Sequence, residues 1–186
     1  ILADATGHGL SAAVSVLPMV QEFYRLVDLS TPLAVMIESI NFLLANSLPL
    51  GRFVAAAFVV LDEPAKQGEI WVGGVPNALM FDAEGKLARR FESSNLPLGI
   101  SKASEIAGSI ESFTWDRPSR LMLVSDGIVE ACNTDGVAFG EARLIATLEG
   151  ALSGETMVTA LGQAMQRYLQ GTVAHDDMSM LGIDCS

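Results

Sequence analysis

The sequence predicts an α+β fold in which antiparallel sheet layers are covered by helices, and three observations predict it. Two segments with helical spacing come first, about six short apolar or alternating runs joined by brief turns follow, and two further helical segments precede a last strand. Connections that short favour antiparallel pairing over crossovers.

The chain opens on Ile1-Leu2-Ala3-Asp4, which reads as the end of a buried strand whose start is absent. The expectation is therefore one domain over residues 1–186, an N-terminally truncated fragment of a longer protein with strands missing upstream. After the glycine-rich turn at 7–9, Leu10, Ala13, Val14, Leu17, Val20 and Phe23 recur at helical spacing, with Pro18 as a possible kink. Thr31-Pro32 is an N-cap and N1 pair for a second helix whose apolar face is Leu33, Met36, Ile37, Ile40 and Leu44.

Phe53 to Leu61 is a near-continuous apolar run, and Gln67-Gly68 reads as the turn into Glu69-Ile70-Trp71-Val72. Asn77 to Phe81 and Leu87 to Phe91 flank the hairpin signal Ala83-Glu84-Gly85-Lys86, and Ile110 to Trp115 and Arg120 to Val124 flank a second one at Asp116-Arg117-Pro118-Ser119. Leu144, Ile145 and Leu148 begin another helical pattern; Glu155 to Leu169 carries the next, with Gly171 as its C-cap, before the strand Met178 to Ile183.

Composition narrows the function. Half of the 186 residues are hydrophobic and 18% are charged, which excludes a disordered chain. With 22 acidic residues against 11 Lys and Arg, the net charge of −11 disfavours binding to nucleic acid or to an anionic membrane surface. No apolar run reaches the roughly 18 to 20 residues of a membrane span. Cys132 and Cys185, the two cysteines, lack the spacing of a disulfide framework or a zinc site, so a reducing, cytoplasmic setting is expected.

Three places put carboxylates where a strand meets a loop: Asp4 in Asp4-Ala5-Thr6-Gly7-His8-Gly9, Asp126 after Leu121 to Ser125, and Asp176-Asp177 before the last strand. Oxygen ligands fixed by rigid elements at one rim are what a hard divalent cation needs. Each has a plainer reading. Asp126-Gly127 is also an ordinary turn, Asp176-Asp177 a solvated loop, and Asp4 a capping residue before a helix. His8 and His175, the two histidines, each lie within four residues of such a carboxylate and are open to metal, proton-transfer or structural roles.

Taken in order, Asp4 to Ala13, Gly73-Gly74-Val75-Pro76-Asn77-Ala78-Leu79, Leu96-Pro97-Leu98-Gly99-Ile100, Ser125-Asp126-Gly127-Ile128-Val129-Glu130-Ala131 through Phe139-Gly140, and Asp176-Asp177-Met178-Ser179 resemble the motifs of the SpoIIE/RsbU-type branch of metal-dependent, protein phosphatase 2C-like serine/threonine phosphatases. The resemblance spans nearly the whole chain.

It implies two antiparallel β-sheets packed as a sandwich and flanked by helix pairs, with two Mn²⁺ or Mg²⁺ ions at one end. Carried onto this sequence, Asp4 bridges the metals, the backbone carbonyl of Ala5 binds one of them, and Asp126 and Asp176 complete the set, with His8 beside it. The implied activity is hydrolysis of a phosphoprotein by a metal-activated water, in the output domain of a bacterial signalling protein of two-component type. The implied partners are an anti-sigma-factor antagonist as substrate and an upstream sensor or receiver domain in the same chain.

Two departures stand out. The family's Gly-Gly-Asp segment, whose Asp is expected to help bind metal, would lie before Ile1, so this fragment alone is expected to be weakly active or inactive; and Val75 replaces the His of a common Ala-Gly-His-Pro segment. The rival readings are a catalytically weak protein-binding module with this fold and a small-molecule phosphohydrolase.

Overall fold

In the computed structural model, which describes residues 1–7, 10–101, 109–172 and 176–186, alternation along each strand decides which layer it serves. The element order is β1 (Leu2–Ala5), α1 (Leu10–Asp28), α2 (Leu33–Ser47), β2 (Val54–Asp62), β3 (Gln67–Gly73), β4 (Ala78–Phe81), β5 (Leu87–Phe91), β6 (Glu111–Thr114), β7 (Ser119–Val124), α3 (Asp126–Val129), α4 (Gly140–Leu148), α5 (Gly154–Leu169) and β8 (Met180–Cys185). They form two four-stranded antiparallel sheets, ordered β1-β2-β3-β6 and β5-β4-β7-β8.

Strand β2 shows why its run is apolar throughout. Val54, Ala56 and Phe58 face α1 and α2 with Trp71, while Ala55 and Ala57 face the second sheet with Ile70 and Val72. From Val54 to Phe58 both faces are covered, so neither parity can be polar there, whereas Val60 farther along is exposed. The second sheet divides the same way. Ala78, Met80, Leu121 and Leu123 point into the sandwich, whereas Leu79, Phe81, Met122 and Val124 pack beneath α3, α4 and α5. The result is four layers, helices on sheet on sheet on helices.

Helix α2 matches its predicted face, but α1 does not. Val14, Leu17 and Val20 of its predicted stripe are exposed, and Ala12, Met19 and Leu26 are buried instead, because a 19-residue run this rich in apolar residues offers more than one face at helical spacing. Leu33, Met36, Ile37, Ile40 and Leu44 are all buried, and α1 runs through Pro18 without a break. Two local expectations fail at helix ends. Thr31 does not cap α2, because its amide closes α1 by donating to the Leu26 carbonyl at 3.0 Å; Pro32 takes the flanking position, and its carbonyl accepts the Met36 amide at 3.0 Å. At the end of α5 the left-handed turn starts one residue before the expected Gly171: Gln170 has φ 47° and Gly171 φ 86°.

Two strand expectations are also corrected. Gln67 and Gly68 lie within β3, paired with Asp62 and Leu61, and the turn sits at 63–66, where Asp62 Oδ1 accepts the Ala65 amide at 3.1 Å. The segments at 110–115 and 120–124 are not a hairpin: β6 pairs with β3 in the first sheet and β7 with β4 and β8 in the second. The link between them steps across the roughly 10 Å gap between packed sheets. Buried Phe113 and Trp115 hold the near end in the sandwich, and the Trp115 amide extends the first sheet by donating to the Lys66 carbonyl at 3.1 Å.

Candidate metal centre

Antiparallel order brings the end of β1, the end of β7 and the start of β8 to one rim, with Asp4 on the first sheet and Asp126 and Asp176-Asp177 on the second. Asp4 is held opposite Ala55 by the β1–β2 ladder, and the turn after it is anchored to β2. The Thr6 amide and hydroxyl both donate to the Phe53 carbonyl, at 3.0 and 2.9 Å, and the Phe53 amide returns a bond to the Thr6 hydroxyl at 3.1 Å. Gly7 then takes φ 95°, a conformation that side-chain-bearing residues avoid. The Arg52 guanidinium donates to the Thr6 carbonyl and lies where a Gly7 side chain would be.

Asp126, where the strand was expected to meet a loop, opens the single turn α3. One of its carboxylate oxygens accepts the Gly127 amide at 2.8 Å, and one of Asp176 accepts the Asp177 amide at 2.8 Å. Both Asp176 and Asp177 are exposed, rather than one facing the rim and its neighbour turned away. A pocket of about 190 Å³ opens at this rim between β1, α1 and the 177–179 segment, lined by Asp4, Gly7, Val16, Asp177 and Ser179 among others.

Electrostatics records the convergence. The Asp4 carboxyl is raised from its ordinary 3.8 to about 6, first by burial, then by the negative charges of Asp126, Asp176 and Asp177, and by a hydrogen bond with Asp126. Among the described residues, none of these four carboxylates has a Lys or Arg ion-pair partner. Four hard oxygen donors gathered without a cation fit a divalent metal in chemistry and charge. Their spacing is open: among the described residues, no three His, Cys, Asp or Glu side chains stand close enough together to hold an ion. Acids that repel one another keep apart until a cation or a proton draws them in.

Of the site residues read from sequence, Asp4, Asp126 and Asp176 are brought together, and Ala5 ends β1 beside Asp4. His8 and His175 lie outside the described residues. Sequence reasoning missed Ser125, which is fully buried and hydrogen-bonded to the segment carrying Asp177. Its signal was a lone hydroxyl ending an apolar strand. At Gly127 close approach and not an unusual backbone angle excludes a side chain: a Cβ there would come within 2.3 Å of the Asp177 carbonyl oxygen.

Comparison with known proteins agrees with the fold and with the family resemblance. No curated protein sequence matches the chain. Among solved structures it is similar to the SiaA-PP2C domain of Pseudomonas aeruginosa (TM-score 0.79, 16% identity, 97% of this chain and 73% of that one). It is also similar to the RsbU and RsbW domains of a Mycobacterium tuberculosis protein (TM-score 0.77, 16% identity, 97% and 49%). A third similar structure is the PP2C phosphatase domain with a regulatory fragment of SpoIIE from Bacillus subtilis (TM-score 0.76, 17% identity, 97% and 52%). The chain thus spans about half the length of the last two. The family model of stage II sporulation protein E matches residues 1–186. With that match across the whole chain, and with the two-sheet, helix-flanked fold of PP2C-type phosphatase domains, the chain belongs to the SpoIIE family.

Proposed function

We propose that the chain is the catalytic portion of a Mn²⁺- or Mg²⁺-dependent serine/threonine protein phosphatase, in which Asp4, Asp126, Asp176 and the Ala5 carbonyl hold two ions. The observation that carries this reading is the coupling of Asp4 to three other carboxylates, none of which has a Lys or Arg ion-pair partner among the described residues. Support for the metal class also comes from a relative: RsbX, similar in fold (TM-score 0.68), has a structure in complex with magnesium.

Bound divalent ions supply Lewis acidity toward phosphoryl oxygens and acidify a water for attack on phosphorus. The chain's own part is orientation. Asp4 comes from the first sheet and Asp126 and Asp176 from the second, so a ligand at the rim is gripped by both halves of the sandwich. Backbone amides of Gly127 and Asp177 each fix one oxygen of the preceding carboxylate. A protonated Asp4 opposes cation binding, so ion uptake at mildly acid pH is coupled to loss of its proton.

The proposed substrate is a phosphorylated anti-sigma-factor antagonist, and the proposed regulator is an upstream sensor or receiver domain of the same protein. Both come from family likeness and not from a surface of this chain. Among the described residues no helix is long and apolar enough to cross a membrane. The open spacing of the carboxylates favours one second reading, a catalytically weak binding module with this fold. Assay of phosphopeptide hydrolysis with and without Mn²⁺ separates the two: metal-dependent turnover supports the phosphatase, and metal binding without turnover supports the module.

A further inference from the structure

Ser125 is fully buried at the end of an apolar strand, and its hydroxyl is used twice. It donates to the Asp177 carbonyl at 3.1 Å and accepts the Ser179 amide at 3.0 Å, while the Ser125 amide donates to the Ser179 carbonyl at 2.9 Å. One residue thereby ties the end of β7 to the segment that carries Asp176 and Asp177, and its neighbour in the chain is Asp126.

Gly127 completes the joint from the other side. With a Cβ at this position 2.3 Å from the Asp177 carbonyl oxygen, either α3 or the loop would have to move. The atom met is backbone, so no side-chain rotation relieves it. A serine that only ended a strand could leave its hydroxyl in water. This one is taken wholly out of water, and both of its hydroxyl bonds go to the 177–179 segment.

We infer that Ser125, together with Gly127, is a positioning residue that sets the separation between Asp126 and the Asp176-Asp177 segment, and through it the affinity of the rim for a divalent cation. The inference rests on the metal-binding reading above. It assigns Ser125 no contact with substrate or ion. Losing residues that orient ligands typically weakens metal binding about 10- to 100-fold.

The test is calorimetric titration of Mn²⁺ into the full-length protein, alongside metal-free thermal melting. The variants are Ser125→Ala, Ser125→Thr, Gly127→Ala and, as a control, Ser153→Ala. Ser153 caps α5, whose first residue, Gly154, bonds Asp184 at the far end of β8 from the rim, so its loss reads out stability alone. Ser125→Ala and Gly127→Ala are expected to weaken Mn²⁺ binding about 10- to 100-fold. Ser125→Thr, which keeps the hydroxyl, recovers most of the loss, and Ser153→Ala melts lower with unchanged Mn²⁺ affinity. Should Ser125→Ala fail to fold, Gly127→Ala decides by the same comparison. Variants that melt lower but bind Mn²⁺ as the wild type does overturn the inference alone. A wild type that binds no Mn²⁺ overturns the metal-binding reading and the inference with it.

Discussion

Asp4 near the end of β1 and Asp126 at the start of α3 come from different sheets yet act on each other at one rim: after burial, the negative charge of Asp126 is the first influence that raises the Asp4 carboxyl. A carboxyl raised in this way keeps its proton to higher pH, so the metal-free rim holds a proton at Asp4 where an unburied Asp would have lost it.

The pH dependence of metal-free stability follows from that proton. Asp4 has an ordinary value of 3.8 and is raised to about 6 in the fold, so the folded state holds the proton more tightly than the unfolded chain does. Its stabilising contribution is complete below about pH 4 and is lost as pH rises through about 6. Thermal melting in chelator should therefore show wild type losing stability relative to Asp4→Asn from about pH 4 to about pH 6, with the difference constant above about pH 7. A difference that stays constant with pH would contradict the raised carboxyl.

Charge removal at the rim should act with opposite sign on stability and on ion binding. At pH 7.5 without metal, Asp126→Asn relieves repulsion on Asp4 and should melt at or above the wild type. Its Mn²⁺ affinity should fall by more than the roughly 100-fold upper range for residues that only orient ligands. Melting temperature and calorimetry on the same samples check both signs.

Trp71 should dominate the packing of α1 and α2 onto the first sheet. It is completely buried, with its ring centroid 5.9 Å from that of Phe58. Trp71→Ala is expected to cost about 3–5 kcal/mol in urea unfolding. A cost below about 1 kcal/mol, the order of an exposed substitution, would mean that the helix layer does not depend on that contact.

The start of α5 offers a smaller and cleaner effect. Ser153 accepts the Thr156 amide at 3.1 Å, and Thr156 Oγ1 accepts the Ser153 amide at 3.0 Å, a reciprocal capping box. Ser153→Ala should lose about 1 kcal/mol of stability. Chemical denaturation measures it, and no loss would show that solvent replaces the cap freely.

Much of this architecture was readable because layer and parity are written into the strands. The apolar run of β2 and the face of α2 each follow from which side is covered, and both appear in the structure as expected. The links were less legible. A four-residue connection such as Trp115 to Pro118 looks the same whether it folds a hairpin or carries the chain from one sheet to the other, and the burial of Trp115 that decides it is a tertiary fact. The carboxylates were legible because strand ends expose polar groups at a rim. Ser125 was not, since a buried serine and an exposed one are the same letter, and only the approach of the 177–179 segment distinguishes them.

The central claim is that the acids at this rim make a metal-dependent phosphatase. It is tested most directly by Mn²⁺-dependent phosphatase activity of the full-length protein beside Asp126→Asn and Asp176→Asn. The account predicts activity in the wild type that chelator abolishes and Mn²⁺ restores, and its loss in both variants. Equal activity in all three proteins would contradict it.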